Sequence, residues 1–197
     1  MSRGPPVVTL AGVPRTRHDV EREEKKSEIL DAAERQLMEG GVSALSVAAI
    51  ARELGVAQNA VYWYFTSRDE LFVATLERVL RRVLHRKPPH SAGMIGIIIW
   101  FVDRLAEFEP LMAAMNDRAR TSPVVADFRD ELHRQLRSML VGAIQGSVLP
   151  GELDTTADVF VAAVEGVLVQ GLSRRERTRV LRFLLGKLLR QRSGAAS

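Results

Sequence analysis

Residues 46–65 read SVAAIARELGVAQNAVYWYF, and this stretch decides the fold. Val47, Ile50, Ala51 and Leu54 repeat with the 3.6-residue period of one helix face, and Gly55 follows them at once. Glycine adopts positive φ without a steric penalty, so Gly55 can end a helix abruptly. After Val56, a second helix begins with Gln58 and Asn59 and carries Tyr62, Trp63, Tyr64 and Phe65 in its remaining turn. Two short helices joined by a tight turn, the second led by polar side chains, have helix-turn-helix geometry.

Working outward, the next segment upstream repeats Ile29, Ala33 and Leu37 every four residues between Val20 and Glu39, and Gly40-Gly41 supplies its stop. Glu21, Glu23 and Glu24 near its start favour the helix dipole. Downstream, Ser67 is placed to cap a helix whose apolar stripe is Phe72, Leu76, Val79, Leu80 and Val83. That helix ends near His85, because Pro88-Pro89 cannot continue it. A domain boundary is expected within 86–91.

Beyond the boundary the pattern remains helical, with no alternating strand. Helices are expected over Met94–Phe108, Pro110–Arg120, a segment carrying Val125 to Ala143, Thr155–Leu172 and Ser173 to about Arg192. Met94–Phe108 is apolar nearly all round, as in a helix surrounded by others. The fold class is all-α: a three-helix helix-turn-helix domain followed by a larger helical domain. The expected division is an arm at 1–20, a helix-turn-helix domain with the helix that follows it at 21–87, a second helical domain at 88–192 and a tail at 193–197. Pro5, Pro6 and Pro14 give the arm no sustained period, and Arg3, Arg15 and Arg17 make it basic. A flexible terminal segment is the ordinary reading, and a minor-groove arm the functional one.

Composition narrows function. The chain has 197 residues, a formal net charge of +4 and no cysteine. A disulfide framework or a thiolate metal site is excluded. The positive excess is spread evenly, with 14 basic and 12 acidic residues up to Lys87 and the same numbers after it, so charge by itself does not mark a nucleic-acid face. The longest apolar run, Ala92–Val102, is about half of the roughly 20 residues needed to cross a bilayer. With no secretory pattern at the N-terminus, a cytoplasmic location is expected. His18, His85, His90 and His133 show no metal-ligand spacing and no phosphate-binding glycine loop is present, so no cofactor, metal or catalytic role is expected.

From Ser46 to Leu71 the pattern S-V-x-x-I-A-x-E-L-G-V-x-x-x-x-V-Y-x-Y-F-x-S-R-x-E-L resembles the TetR family of bacterial transcriptional regulators. The segment I-L-D-A-A-E-R-Q-L-x-E-G-G at Ile29–Gly41 is similar to that family's first helix. These motifs cover about a quarter of the chain. The resemblance implies an N-terminal DNA-binding part, a connecting helix and a divergent helical part that binds an effector and dimerises. It places Gln58, Asn59, Ala60, Tyr62, Trp63 and Tyr64 at the DNA, with Lys26, Ser46 and Arg68 as flanking contacts. Gln and Asn can bond an adenine edge, worth roughly 1–3 kcal/mol of discrimination, and Tyr and Trp can reach phosphate. Arg68 stands where the family usually has lysine. Ala57 lacks the capping oxygen common at this position, so the sequence leaves open which of Gln58 and Asn59 faces the bases. Val61 and Phe65 belong to the core.

For an effector, the best wall is the apolar helix with Met94, Trp100, Phe101 and Phe108, with Met112, Met115 and Phe128 as neighbours and Arg104 or His133 as a polar anchor. Such a wall suits a small apolar or aromatic molecule, although methionines and aromatics at helical spacing also build plain cores. For a two-fold axis, Ala162, Ala163 and Gly166 allow close approach on one helix and Leu181, Leu184, Leu185 and Leu188 offer a seam on the next. The arginines at 174, 175, 177, 179 and 182 read as a solvated or partner-facing surface. The expected function is a homodimeric, ligand-responsive transcriptional regulator, acting as a repressor on a palindromic operator. The alternatives are a ligand-sequestering or interaction protein, and a DNA-binding protein that responds to no ligand.

Overall fold

The computed structural model of the chain describes residues 17–189, and among them all regular structure is helical. The arm at 1–16 and the tail at 193–197 lie outside the described residues. Helix α1 runs Arg17–Ala44, so residues 17–20, assigned from sequence to the arm, are helical instead. Arg17 donates to Glu21 one turn on, a pairing the proline-poor end of the arm permits. The helical path breaks at Gly40 and at Gly41, whose φ of 63° and ψ of −157° are open essentially to glycine alone.

Helices α2 (Val47–Glu53) and α3 (Gln58–Tyr64) form the helix-turn-helix, and Gly55 turns the chain between them at φ 64°. Helix α4 (Arg68–His85) starts at Ser67, whose hydroxyl accepts from the Glu70 amide at 3.0 Å. The Glu70 carboxylate reaches back to the Thr66 amide at 2.6 Å, closing the cap from the other side. Ile29, Ala33 and Leu37 of α1, Ile50 of α2, Val61 of α3 and Phe72 and Leu76 of α4 interlock in one core, each no more than 1% exposed. Arg78 of α4 ties that bundle to α1 through Asp31 at 2.7 Å and Glu34 at 3.1 Å.

The second half holds α5 (Met94–Leu105), α6 (Glu109–Arg118), α7 (Pro123–Ile144), α8 (Leu153–Val169) and α9 (Arg174–Leu188). A short 3-10 turn at Ala106–Phe108 separates α5 from α6, so the helix expected over Met94–Phe108 ends one turn early, at Leu105. Pro110 cannot donate to the preceding turn, and the chain uses the break to start α6. Helix α5 is not surrounded as its composition suggests. Ile99, Val102 and Leu105 are buried, while Ile97, Ile98 and Phe101 are half-buried because they face a void.

Two ion pairs fix the larger architecture. Asp103 of α5, 6% exposed, accepts from Arg174 of α9 at 2.9 Å, which holds the last helix against the bundle. Asp69, at the start of α4, accepts from Arg118 at the end of α6 through both oxygens, at 2.8 and 2.9 Å. This bidentate bond joins the helix that leaves the helix-turn-helix to the second half of the chain. The Arg118 hydrogen bond holds the Asp69 carboxyl below its ordinary value near 3.8, against an opposing effect of burial. A carboxyl depressed on folding contributes stability above its unfolded pKa and loses it as pH falls through the folded value. Stability is therefore expected to fall below about pH 4, and Asp69→Asn to remove part of that dependence. Solvent around Arg118 keeps the change to about 1 kcal/mol, read from urea midpoints between pH 3 and 7.

Candidate nucleic-acid interface and ligand cavity

Helix α3 begins where the chain can spare a capping oxygen. Ala57 is its N-cap and makes no side-chain bond, and the Ala60 amide closes the first turn on the Ala57 carbonyl at 2.9 Å. Val61 and Phe65 turn inward, at 1% and 3% exposure, and fix the rotation of the helix. That rotation leaves Gln58, Asn59, Ala60, Tyr62 and Trp63 on one exposed side. Both Gln58 and Asn59 are exposed, so geometry withholds neither from a base edge. Tyr64 is half-buried and packs its ring edge-on to Trp63, with centroids 4.9 Å apart. It supports the exposed face more than it belongs to it.

Three flanking residues have other attachments. Ser46 is half-buried and caps α2, its hydroxyl accepting from the Ala49 amide at 3.2 Å and its amide donating to Gln36 at 2.7 Å. Its oxygen is therefore occupied within the fold. Arg68, expected to aim at a phosphate, donates to the Val42 carbonyl and so pins the start of α4 to the turn after Gly41. Lys26 lies 6.0 Å from the Phe65 ring and is half-buried. The sequence reading missed Arg22, which stands 4.5 Å over the Trp63 ring and brings a cation from the first turns of α1 to the exposed side of α3. Its place one turn before Lys26 was the only available signal.

Together with α4, the helices of the second half line a partly open cavity of about 280 Å³, formed where α4, α5, α6, α7 and α8 diverge. Of the residues expected to hold an effector, Phe101, Met112 and Met115 line it. Met94, Trp100, Arg104, Phe108, Phe128 and His133 do not. Trp100 packs edge-on to Phe101 with Arg104 at 6.0 Å over its ring, Phe108 sits under Arg82, and Phe128 and Met94 pack against the core. The α5 register explains the difference: Ile97, Ile98 and Phe101 share the inward side, and Trp100 faces away from it. The sequence reading missed the opposite walls, with Leu80 on α4, Leu136 and Leu140 on α7, and Phe160, Val164 and Leu168 on α8. Periodicity marks such positions as inward-facing but cannot distinguish a filled interior from a void.

Among the lining side chains only Asn116 and Glu165 are polar. Glu165 meets His133 at 2.8 Å, with His133 reaching it from an open groove outside the cavity. His133 therefore reaches the cavity only through Glu165.

Part of the expected dimer seam is covered by the chain itself. Leu181 and Leu185 are 0% and 2% exposed inside the chain's own core, packed there because α9 lies against α5 and α8. Leu184 and Leu188 are half-buried, as are Ala163 and Gly166, and Ala162 is exposed. The outer side of α9 instead presents Val180 and Phe183, the latter 68% exposed.

Residues 29–75 match the family model described as bacterial regulatory proteins, tetR family. The transcriptional regulator SrpR of Pseudomonas putida is 28% identical over 84% of this chain and 84% of its own. TtgR of Pseudomonas putida, also a helix-turn-helix transcriptional regulator, is 25% identical over 75% of this chain and 80% of its own. A transcriptional regulator from Rhodococcus sp. RHA1 has the same fold, with a TM-score of 0.73 at 22% identity over 83% of this chain and 95% of its own. No helix of the described residues is long and apolar enough to cross a membrane.

Proposed function

We propose a function from one premise: the chain belongs to the tetR family of bacterial regulatory proteins. It is a DNA-binding transcriptional regulator and not an enzyme. The finer reading is a homodimeric repressor that binds a palindromic operator through α3 and releases it when a small, largely apolar molecule enters the cavity. The observation that carries this reading is the pairing, in one chain, of an exposed polar and aromatic helix face with a separate apolar void. Gln58, Asn59, Tyr62 and Trp63 form the first, and α4 walls the second through Leu80, Val83 and Leu84 while starting directly after α3.

The coupling between the two follows from that shared helix. A ligand pressing on Leu80 or Met112 shifts α4 or α6, and the Asp69–Arg118 bond links those helices at the end nearer the DNA-binding part. Two α3 helices must sit about one DNA turn apart to enter successive major grooves, so a change in α4 tilt in each protomer alters the fit. A DNA-binding protein indifferent to ligands would have a filled interior, and a void of about 280 Å³ opposes that reading. The homodimer rests on the outer sides of α8 and α9, with Ala162, Gly166, Val180, Phe183, Leu184 and Leu188 at the contact. A cytoplasmic location accords with this role.

Selection from a random duplex pool tests the proposal. The purified protein is expected to enrich an inverted repeat with half-site centres about 10 base pairs, or a multiple of that, apart. Enrichment of no two-fold-symmetric sequence at low and moderate salt would overturn it.

A further inference from the structure

The proposed effector site also carries information about the class of molecule it takes. We propose that the cavity binds a lipophilic amine, an apolar body bearing one protonated nitrogen, with Glu165 as the residue that receives the cation. This rests on the reading of the cavity as the effector site.

The walls set the body of the ligand. Apart from Asn116 and Glu165 every lining side chain is apolar, so only one end of a bound molecule can be satisfied by polar contacts. An apolar protein cavity of about 150 Å³ holds one benzene. At about 280 Å³ the space accepts a chain or ring system of roughly ten to twelve carbons. Leu84 and Met139, 41% and 51% exposed, stand at one side of the void and give an apolar approach between α4 and α7.

The opposite side sets the head. Asn116, Glu165 and Val169 line both the cavity and the outer groove, so they form the junction between the apolar cavity and the open groove. Among the described residues Glu165 is the one ionisable side chain that lines the cavity. His133 engages its Oε1 from the groove side at 2.8 Å, and among the described residues no hydrogen bond occupies its Oε2. An ammonium at the junction donates to that oxygen and to the Asn116 side-chain oxygen. A carboxylate head there meets a like charge. The groove does hold arginines, but Arg129 is bonded to Asp130 at 2.8 Å and Arg120 is exposed to water outside the cavity. An anionic head would have to pass Glu165 to reach either.

Decylamine, decanol and decanoate share one apolar body and differ at the head. Isothermal titration of the full chain at pH 7 is expected to show decylamine binding at least about tenfold tighter than decanol and decanoate weakest. In Glu165→Gln the decylamine affinity is expected to fall to the decanol level. Decanoate binding tightest, or an amine preference that survives Glu165→Gln, would overturn the assignment of the head while leaving the cavity as an apolar site. Failure of all three to bind would remove the cavity reading itself and this inference with it. The order of the three probes in the unaltered protein decides the matter even if Glu165→Gln does not fold.

Discussion

Gln58→Ala combined with Tyr62→Ala is expected to weaken binding to the selected operator roughly a hundredfold, or about 3 kcal/mol. Gln58 leads α3 and Tyr62 lies one helical turn on, 38% exposed on the same side of the helix. Neither side chain belongs to the core that positions α3, which is built by Val61 and Phe65. The loss is therefore expected in affinity with little change in stability, and an unchanged urea midpoint beside the weakened binding checks this. A shared drop in both would mean that the two side chains hold the helix in place instead.

The largest expected effect on stability is at Phe72. Its ring is 1% exposed on α4, within the core it shares with Ile29 and Leu37 of α1 and Ile50 of α2. Truncation to alanine removes its transfer free energy and leaves a void that these helices cannot fully close, a loss of roughly 3–5 kcal/mol. Because α4 both follows α3 and walls the cavity, the loss should reach both halves of the chain. Urea unfolding at fixed protein concentration is expected to show a lower midpoint with a similar slope. A midpoint within about 0.5 kcal/mol of the parent would contradict the packing described here.

How far these features could be read from sequence depended on whether each has a local signature. The helix-turn-helix has one. Gly55 needs positive φ, the apolar residues of α2 share one face, and the inward set of α3 is reduced to Val61 and Phe65, all of which is visible in twenty residues. The helices of the second half were equally legible, down to the start of α9 after Ser173, where a reciprocal capping box with Glu176 forms. Element ends were less so. The last turn of the expected Met94–Phe108 helix tightens into a 3-10 turn at Ala106–Phe108, a change that leaves the apolar period unaltered.

The sites themselves depend on which inward-facing side chains meet nothing. Trp100 and Phe101 are adjacent and equally apolar, yet only Phe101 borders the void, because successive helical residues point about 100° apart. Leu181 and Leu185 form a seam suited in sequence to self-association, and α5 and α8 cover it within the same chain. Arg68 looked free for phosphate and is committed to the Val42 carbonyl, a bond across 26 residues that no local pattern reveals. In each case tertiary packing chose between two uses of the same residue type.

The central claim is that the exposed side of α3 reads sequence and does more than supply charge. The most direct measurement is a fluorescence-anisotropy titration of the unaltered protein and the Gln58→Ala/Tyr62→Ala variant, each on the selected operator and on a scrambled duplex of equal length and salt. The unaltered protein is expected to prefer the operator by about a thousandfold or more, and the variant to lose most of this preference while its affinity for scrambled DNA changes by no more than a few-fold. Equal losses on both duplexes, or an operator preference that survives in the variant, would contradict it.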